Sequence, residues 1–235
     1  MLKVHIVMMN RLEGIKAYIF DLDDTLYDEE QYVSSAISDV CKFISNKHNI
    51  EYNVLFEFCM HSIQVEGRGN TFNKLCNEFS ITEDIKQLVD IYRSCKPILT
   101  FYDDADELIK LLKENNKKIG IITDGNAKVQ NSKAKALGLY ELVDSVILTD
   151  NLRDGDKTIT KPDERVYKAC LEELNVLTAE AVYIGDNSLK DFVGAKKIGM
   201  KTVRIIRNKG MFMNEIAPSN DYEADITIHS LRELI

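Results

Sequence analysis

The chain has no run approaching the roughly twenty consecutive apolar residues that a membrane helix requires, so no membrane association is expected of its 235 residues. It has no Cys-x-x-Cys pair, and its cysteines number five. An odd count without paired spacing argues against a disulfide framework and for free thiols in a reducing, cytoplasmic compartment. Basic residues fall short of acidic ones, 30 Lys and Arg against 38 Asp and Glu, for a net charge of −8. That balance argues against a nucleic-acid polymer as partner. An anionic substrate would have to be attracted by something other than net charge, and a bound cation is one answer. No internal repeat or low-complexity tract occurs. The apolar stretch within residues 1–14 is too short for a secretory signal and lacks a small-residue cleavage site, so these residues are read as an N-terminal extension. What remains is a composition 45% apolar and 29% charged, ordinary for a globular protein. Monomer and dimer are equally open.

The hydrophobic pattern changes twice along the chain. Ile15 to Phe20 is a short apolar run rich in strand formers that ends at a cluster of acids, and it reads as a buried strand. From Glu29 the period becomes helical. Val33, Ile37, Val40 and Ile44 lie on one face, and Leu55 to Ile63, Phe72 to Phe79 and Ile85 to Tyr92 repeat the pattern. Cys41, Cys59 and Cys76 fall among these apolar residues and read as small buried hydrophobes. Pro97 closes the series. Beyond it, helices predicted at Asp103–Glu114, Ala127–Leu137, Glu164–Leu174 and Leu189–Ile198 alternate with strands at Lys118–Ile122, Ser145–Leu148, Ala181–Ile184, Thr202–Ile206 and Ile226–Ile228. Such alternation means a mostly parallel sheet covered on both faces. The fold class is therefore α/β, a doubly wound sheet with an inserted all-helical segment. The boundaries are 15–28 and 98–235 for the core domain, 29–97 for the insertion and 1–14 for the extension.

Ligands of open parallel sheets bind beyond the carboxyl ends of the strands, and polar clusters follow the predicted strands. They are Asp21-Leu-Asp23-Asp-Thr25 after the first strand, Thr123-Asp124-Gly125 after the second, Lys161-Pro162-Asp163 ahead of the helix at Glu164, and Gly185-Asp186-Asn187 with Asp191 after Ile184. Each cluster alone could be a turn or a helix cap. Together they place a lysine among carboxylates on one rim. Crowded carboxylates repel one another unless a cation sits between them, and hard oxygen ligands without His or Cys nearby suit Mg²⁺ over Zn²⁺. Carboxylates, a metal, a threonine hydroxyl, backbone amides and a lysine make a phosphoryl-transfer site. One of the carboxylates could itself be the nucleophile.

These four clusters, in this order, resemble the signature motifs of the haloacid dehalogenase (HAD) superfamily, and the resemblance extends over about residues 15–235. It implies a Rossmann-like HAD core with a type-1 helical cap, in the phosphatase branch. It implies that Asp21 attacks phosphorus and that Asp23 serves as general acid and base. Mg²⁺ would be held by the Asp21 carboxylate, the Asp23 backbone carbonyl and the Asp186 carboxylate. Thr123, Lys161 and the amides of Asp124 and Gly125 would hold the phosphoryl oxygens. Thr25 would brace the turn, with Asn187 and Asp191 in support and Asp191 directing metal waters or pairing with Lys161. Many relatives carry Asn where this chain has Asp124, so its carboxylate is expected to point away from the phosphate. The superfamily's dehalogenases lack an acid two residues after the nucleophile, so Asp23 favours a phosphatase acting on a small phosphate monoester, a sugar phosphate or nucleoside monophosphate. The alternatives are a phosphomutase of the β-phosphoglucomutase type and a non-catalytic regulator. The polar loop at 149–160 is read as a solvated surface loop.

Overall fold

The computed structural model describes residues 12–235. The extension expected over 1–14 therefore lies largely outside the described residues. Two compact units form, one from Glu30–Leu99 and the other from the residues up to Glu29 together with Thr100–Ile235.

The larger unit is built on a six-stranded sheet ordered β3-β2-β1-β6-β7-β8. Its strands are β1 (Ala17–Phe20), β2 (Lys118–Thr123), β3 (Ser145–Leu148), β6 (Ala181–Gly185), β7 (Lys201–Ile205) and β8 (Ile226–Ile228). Every neighbouring pair is parallel, with Ala17 opposite both Lys118 and Ala181. This is the expected doubly wound α/β architecture. The strands read as continuous apolar runs because both faces are covered: Ala17, Ile19 and Phe20 are fully buried, as are Val182, Tyr183 and Ile184. On one face, Ala17, Ile19 and Ile122 pack with Val166, Tyr167, Cys170 and Leu174 of the helix Glu164–Leu174. The chain order reverses beside β1, whose neighbours β2 and β6 lead to opposite edges. The loops after those three strands therefore border one crevice.

The smaller unit is all helical: α1 (Glu30–His48), α2 (Tyr52–Glu66), α3 (Thr71–Glu78) and α4 (Ile85–Arg93). Its buried cluster contains Val33, Ile37, Val40, Ile44, Leu55, Leu75 and Leu88, the residues whose spacing marks the helices in the sequence, together with Cys41, Cys59 and Cys76. All five cysteines are free and buried. No described helix is long and apolar enough to cross a membrane.

One expectation needs correction. The helix predicted at Leu189–Ile198 spans only Val193–Lys197. Its first turn is replaced by a loop in which Asn187 N–H donates to Asp191 Oδ2 at 2.9 Å and Leu189 N–H donates to Asn187 Oδ1 at 2.9 Å. Local side-chain acceptors there outcompete the helical ladder. The loop at 149–160 contains a two-stranded antiparallel hairpin, β4 (Arg153–Asp154) and β5 (Lys157–Thr158), turning at Gly155 with φ 59°. A short helix, Leu139–Leu142, follows Gly138.

Candidate active site

Asp21 leaves the carboxyl end of β1 with its N–H donating to Ile184 O at 2.8 Å, which locks the loop to β6. Beyond it Asp24 adopts a left-handed conformation, φ 55°. Its carboxylate accepts from the Glu29 N–H at 3.1 Å and the Met211 N–H at 3.0 Å. An Asp in this conformation can tie a turn with its own side chain, and an isolated backbone bridge links Asp23 and Tyr27 across it. Burial pushes the Asp24 carboxyl up to about 6. Thr25, expected to brace the turn, follows directly. Its hydroxyl is buried with no hydrogen-bond partner among the described residues, while its carbonyl accepts from Arg207 Nη2 at 2.6 Å.

Lys161 is buried and reaches the Asp21 carboxylate, and it lies 2.8 Å from Asp191 Oδ1 and 2.9 Å from the Tyr183 hydroxyl. Burial works against charge on this ammonium, but Asp191 and Asp21 outweigh it and hold Lys161 well above its usual value. Asp191 is fully buried, with one oxygen on Lys161 and the other on the Asn187 N–H. Gly185 makes room for it, because a Cβ at that position would collide with the Asp191 carboxylate.

Asp21, Asp186 and Asp191 each bring a carboxylate oxygen within 4.8 Å of the others. Three buried carboxylates face one buried lysine. Burial pushes the Asp21 carboxyl up to about 7, with Lys161 opposing the shift and Asp191 adding to it. Asp186 is held well above the usual carboxylate range by burial and by Asp21. Its Oδ2 is buried and has no hydrogen-bond partner among the described residues. An orphaned buried oxygen beside like charges, in an all-oxygen donor set, fits a hard divalent cation.

The Asp124 carboxylate is taken up by neighbouring donors. It accepts from Thr149 Oγ1 at 2.8 Å, Lys161 N–H at 3.2 Å and Lys190 Nζ at 2.8 Å. Burial works the other way, but Lys161 and Lys190 hold it below the usual carboxylate value. Gly125 follows with φ 126°, a backbone state that strains any side chain.

Asp23 points elsewhere than Asp21. Oδ1 accepts from the Tyr27 hydroxyl at 2.6 Å and from Lys133 Nζ at 2.7 Å, and Oδ2 accepts from Gln130 Nε2 at 2.8 Å. Lys133 and Gln130 are buried on the helix Ala127–Ala136, and they escape sequence reading because a polar pair three residues apart on a helix looks like a solvated face. Tyr183 and Lys190 escape it too, the first concealed in an apolar strand and the second in a turn.

The family of haloacid dehalogenase-like hydrolases matches residues 18–205. The chain belongs to that family. Across 228 residues it is 32% identical to the glyceraldehyde 3-phosphate phosphatase of Methanocaldococcus jannaschii, covering 94% of this chain and 96% of that one. It is 28% identical to the (S)-2-haloacid dehalogenase 4A of Burkholderia cepacia, covering 88% of this chain and 90% of the relative. Among solved structures, a HAD phosphatase from Thermococcus onnurineus superposes with a TM-score of 0.59 at 28% identity, covering 94% of this chain and 96% of that one. As a member of this family the HAD hydrolase described here carries its helical insertion between β1 and β2.

Proposed function

We propose that this HAD hydrolase is a phosphatase that cleaves a small phosphate monoester through an aspartyl-phosphate on Asp21. The observation that carries the proposal is the buried cluster of Asp21, Asp186, Asp191 and Lys161 at the carboxyl ends of β1 and β6, with an oxygen of Asp186 unpaired. Asp21, Asp186 and the Asp23 carbonyl would hold Mg²⁺, which when bound neutralises charge on the phosphoryl oxygens. Asp21 attacks phosphorus, and the ester oxygen leaves with a proton from Asp23. Asp23 then takes a proton from the water that hydrolyses the acyl phosphate. Lys161, the Thr123 hydroxyl and the amides of Asp124 and Gly125 hold the oxygens of the group in transfer. Asn187 and Asp191 keep the loop after β6 in place, and Asp191 orients Lys161.

Asp23 separates this reading from dehalogenation. A departing halide needs no proton, whereas a departing alkoxide does. The substrate class is a sugar phosphate such as glyceraldehyde 3-phosphate, a reading supported by the relative at 32% identity over nearly the whole chain. Residues 29–97 are the cap domain in this reading, and residues 15–28 and 98–235 the catalytic domain. Five free thiols are in keeping with a cytoplasmic setting. The test is hydrolysis of a panel of phosphate monoesters by protein stripped with a chelator and then given back Mg²⁺. Hydrolysis that vanishes on stripping and returns with Mg²⁺ supports the proposal. Full activity in the stripped protein, or no phosphate released from any ester after Mg²⁺ is restored, overturns it.

A further inference from the structure

We propose that Gln130 and Lys133 are positioning residues that fix the orientation of Asp23, so that one face of the helix Ala127–Ala136 sets proton transfer. The inference rests on the reading of Asp23 as the general acid and base. Gln130 Nε2 lies 2.8 Å from Asp23 Oδ2, 2.5 Å from Thr123 Oγ1 and 2.8 Å from Asp124 O. The amide group that touches the acid/base thus also touches the threonine. Lys133, one turn along, lies 2.7 Å from the other oxygen of Asp23 and 3.0 Å from Glu29 Oε1.

Two features argue for a role beyond holding the fold. Gln130 is buried at 2% exposure, and its Oε1 has no hydrogen-bond partner among the described residues. A buried acceptor left unpaired costs about 1–3 kcal/mol, so an apolar residue of the same shape would suit packing better. With Tyr27 and Lys133 on one oxygen and Gln130 on the other, Asp23 is held at both ends, and rotation about its side chain is restricted.

The test compares Gln130→Leu and Lys133→Met with wild type on two esters, glyceraldehyde 3-phosphate and p-nitrophenyl phosphate. In kcat/KM, which reports steps up to phosphoryl transfer to Asp21, the sugar ester needs protonation of a poor leaving group and the nitrophenyl ester hardly does. Mispositioning Asp23 should therefore lower kcat/KM for the sugar ester by on the order of 10-fold or more, part of the roughly 10²–10⁴-fold that proton transfer supplies, and spare the nitrophenyl ester by comparison. A merely structural role would lower both by the same factor, because it changes only the amount of active protein. Equal losses on the two esters, or no loss on either, overturn the proposal. Gln130→Leu keeps the helix and removes no charge, so it decides the matter should Lys133→Met fold poorly. A wild-type protein that hydrolyses neither ester overturns the phosphatase reading instead, and the two failures are distinct.

Discussion

The two compact units are stabilised by different means. In Glu30–Leu99 the buried polar residues are only Ser62 and Thr71, and the interior is aliphatic, aromatic and thiol-bearing. In the α/β unit the interior also holds Asp21, Asp104, Lys133, Lys161, Asp186 and Asp191. Burying an ion is expensive unless it is paired and hydrogen-bonded, and here the ions gather at the carboxyl ends of the strands. The difference teaches where chemistry was built at a cost to stability. The helical unit is held mainly by apolar packing, with one ion cluster in which Lys47 and His48 meet Glu83, while the α/β unit carries charges that an apolar core would have done without.

The contrast should be sharpest at Lys161. Lys161→Met leaves Asp21 and Asp191 buried without their cation. Removing one partner of such a group typically costs about 3–5 kcal/mol, and phosphatase activity should be lost with it. Urea unfolding would read the first effect, and a stability equal to wild type would break the contrast. The helical unit should answer to packing instead. Leu75→Ala opens a cavity in the cluster with Ile37, Leu55 and Leu88. That class of change costs about 2–5 kcal/mol, depending on how far the site collapses. Its cost should be the same at acid and neutral pH, since no buried ion takes part. A pH-dependent cost in urea unfolding would contradict the division.

A smaller and pH-dependent effect is expected at Asp104, which sits in the α/β unit away from the reacting groups. Its oxygens accept from Arg207 at 2.7 and 2.8 Å, from the Leu231 N–H at 2.8 Å and from Ser230 at 2.9 Å. Burial alone would raise this carboxyl, but Arg207 and the Leu231 amide hold it below its ordinary 3.8. A depressed carboxylate contributes stability that is fully present above its unfolded value and is lost as pH falls through the folded one. Asp104→Asn should cost about 1.5–3 kcal/mol at neutral pH, the range for hydrogen bonds to a charged group. The gap from wild type should begin to narrow below about pH 4, where the unfolded carboxyl takes up a proton, and close once pH falls through the lower folded value. A gap of constant size down to acid pH in thermal unfolding would refute the account of Asp104.

These contrasts also explain how much was legible in the sequence. The helices of the insertion were readable because one apolar stripe per helix is all that holds them, and period 3.6 exposes it. The strands were readable because both their faces are buried. The Asp21, Thr123, Lys161 and Asp186 clusters stood out because acids and hydroxyls interrupt apolar runs at strand ends. The residues that serve those clusters from neighbouring elements did not stand out. Gln130, Lys133 and Tyr183 occupy ordinary helix and strand positions, and only three-dimensional contact reveals that they touch Asp23 or Lys161. The late start of the helix Val193–Lys197 was hidden for a related reason. Asn187 and Asp191 spend their side chains on the loop backbone, a choice that periodicity does not register.

The central claim is that Asp21 and Asp23, two residues apart, divide the work of nucleophile and proton carrier. The most direct test is to mix Asp21→Asn and Asp23→Asn proteins with an activated aryl phosphate and Mg²⁺, quench with acid, and measure phosphate covalently retained. Both changes nearly preserve shape, so packing loss is not at issue. The Asp23 variant keeps its nucleophile and needs little help with an activated leaving group, yet lacks the base for water attack, so it should accumulate phosphoenzyme. The Asp21 variant should retain none. Covalent phosphate on the Asp21→Asn protein, or the same absence of phosphoenzyme in both with unimpaired turnover, would contradict the account.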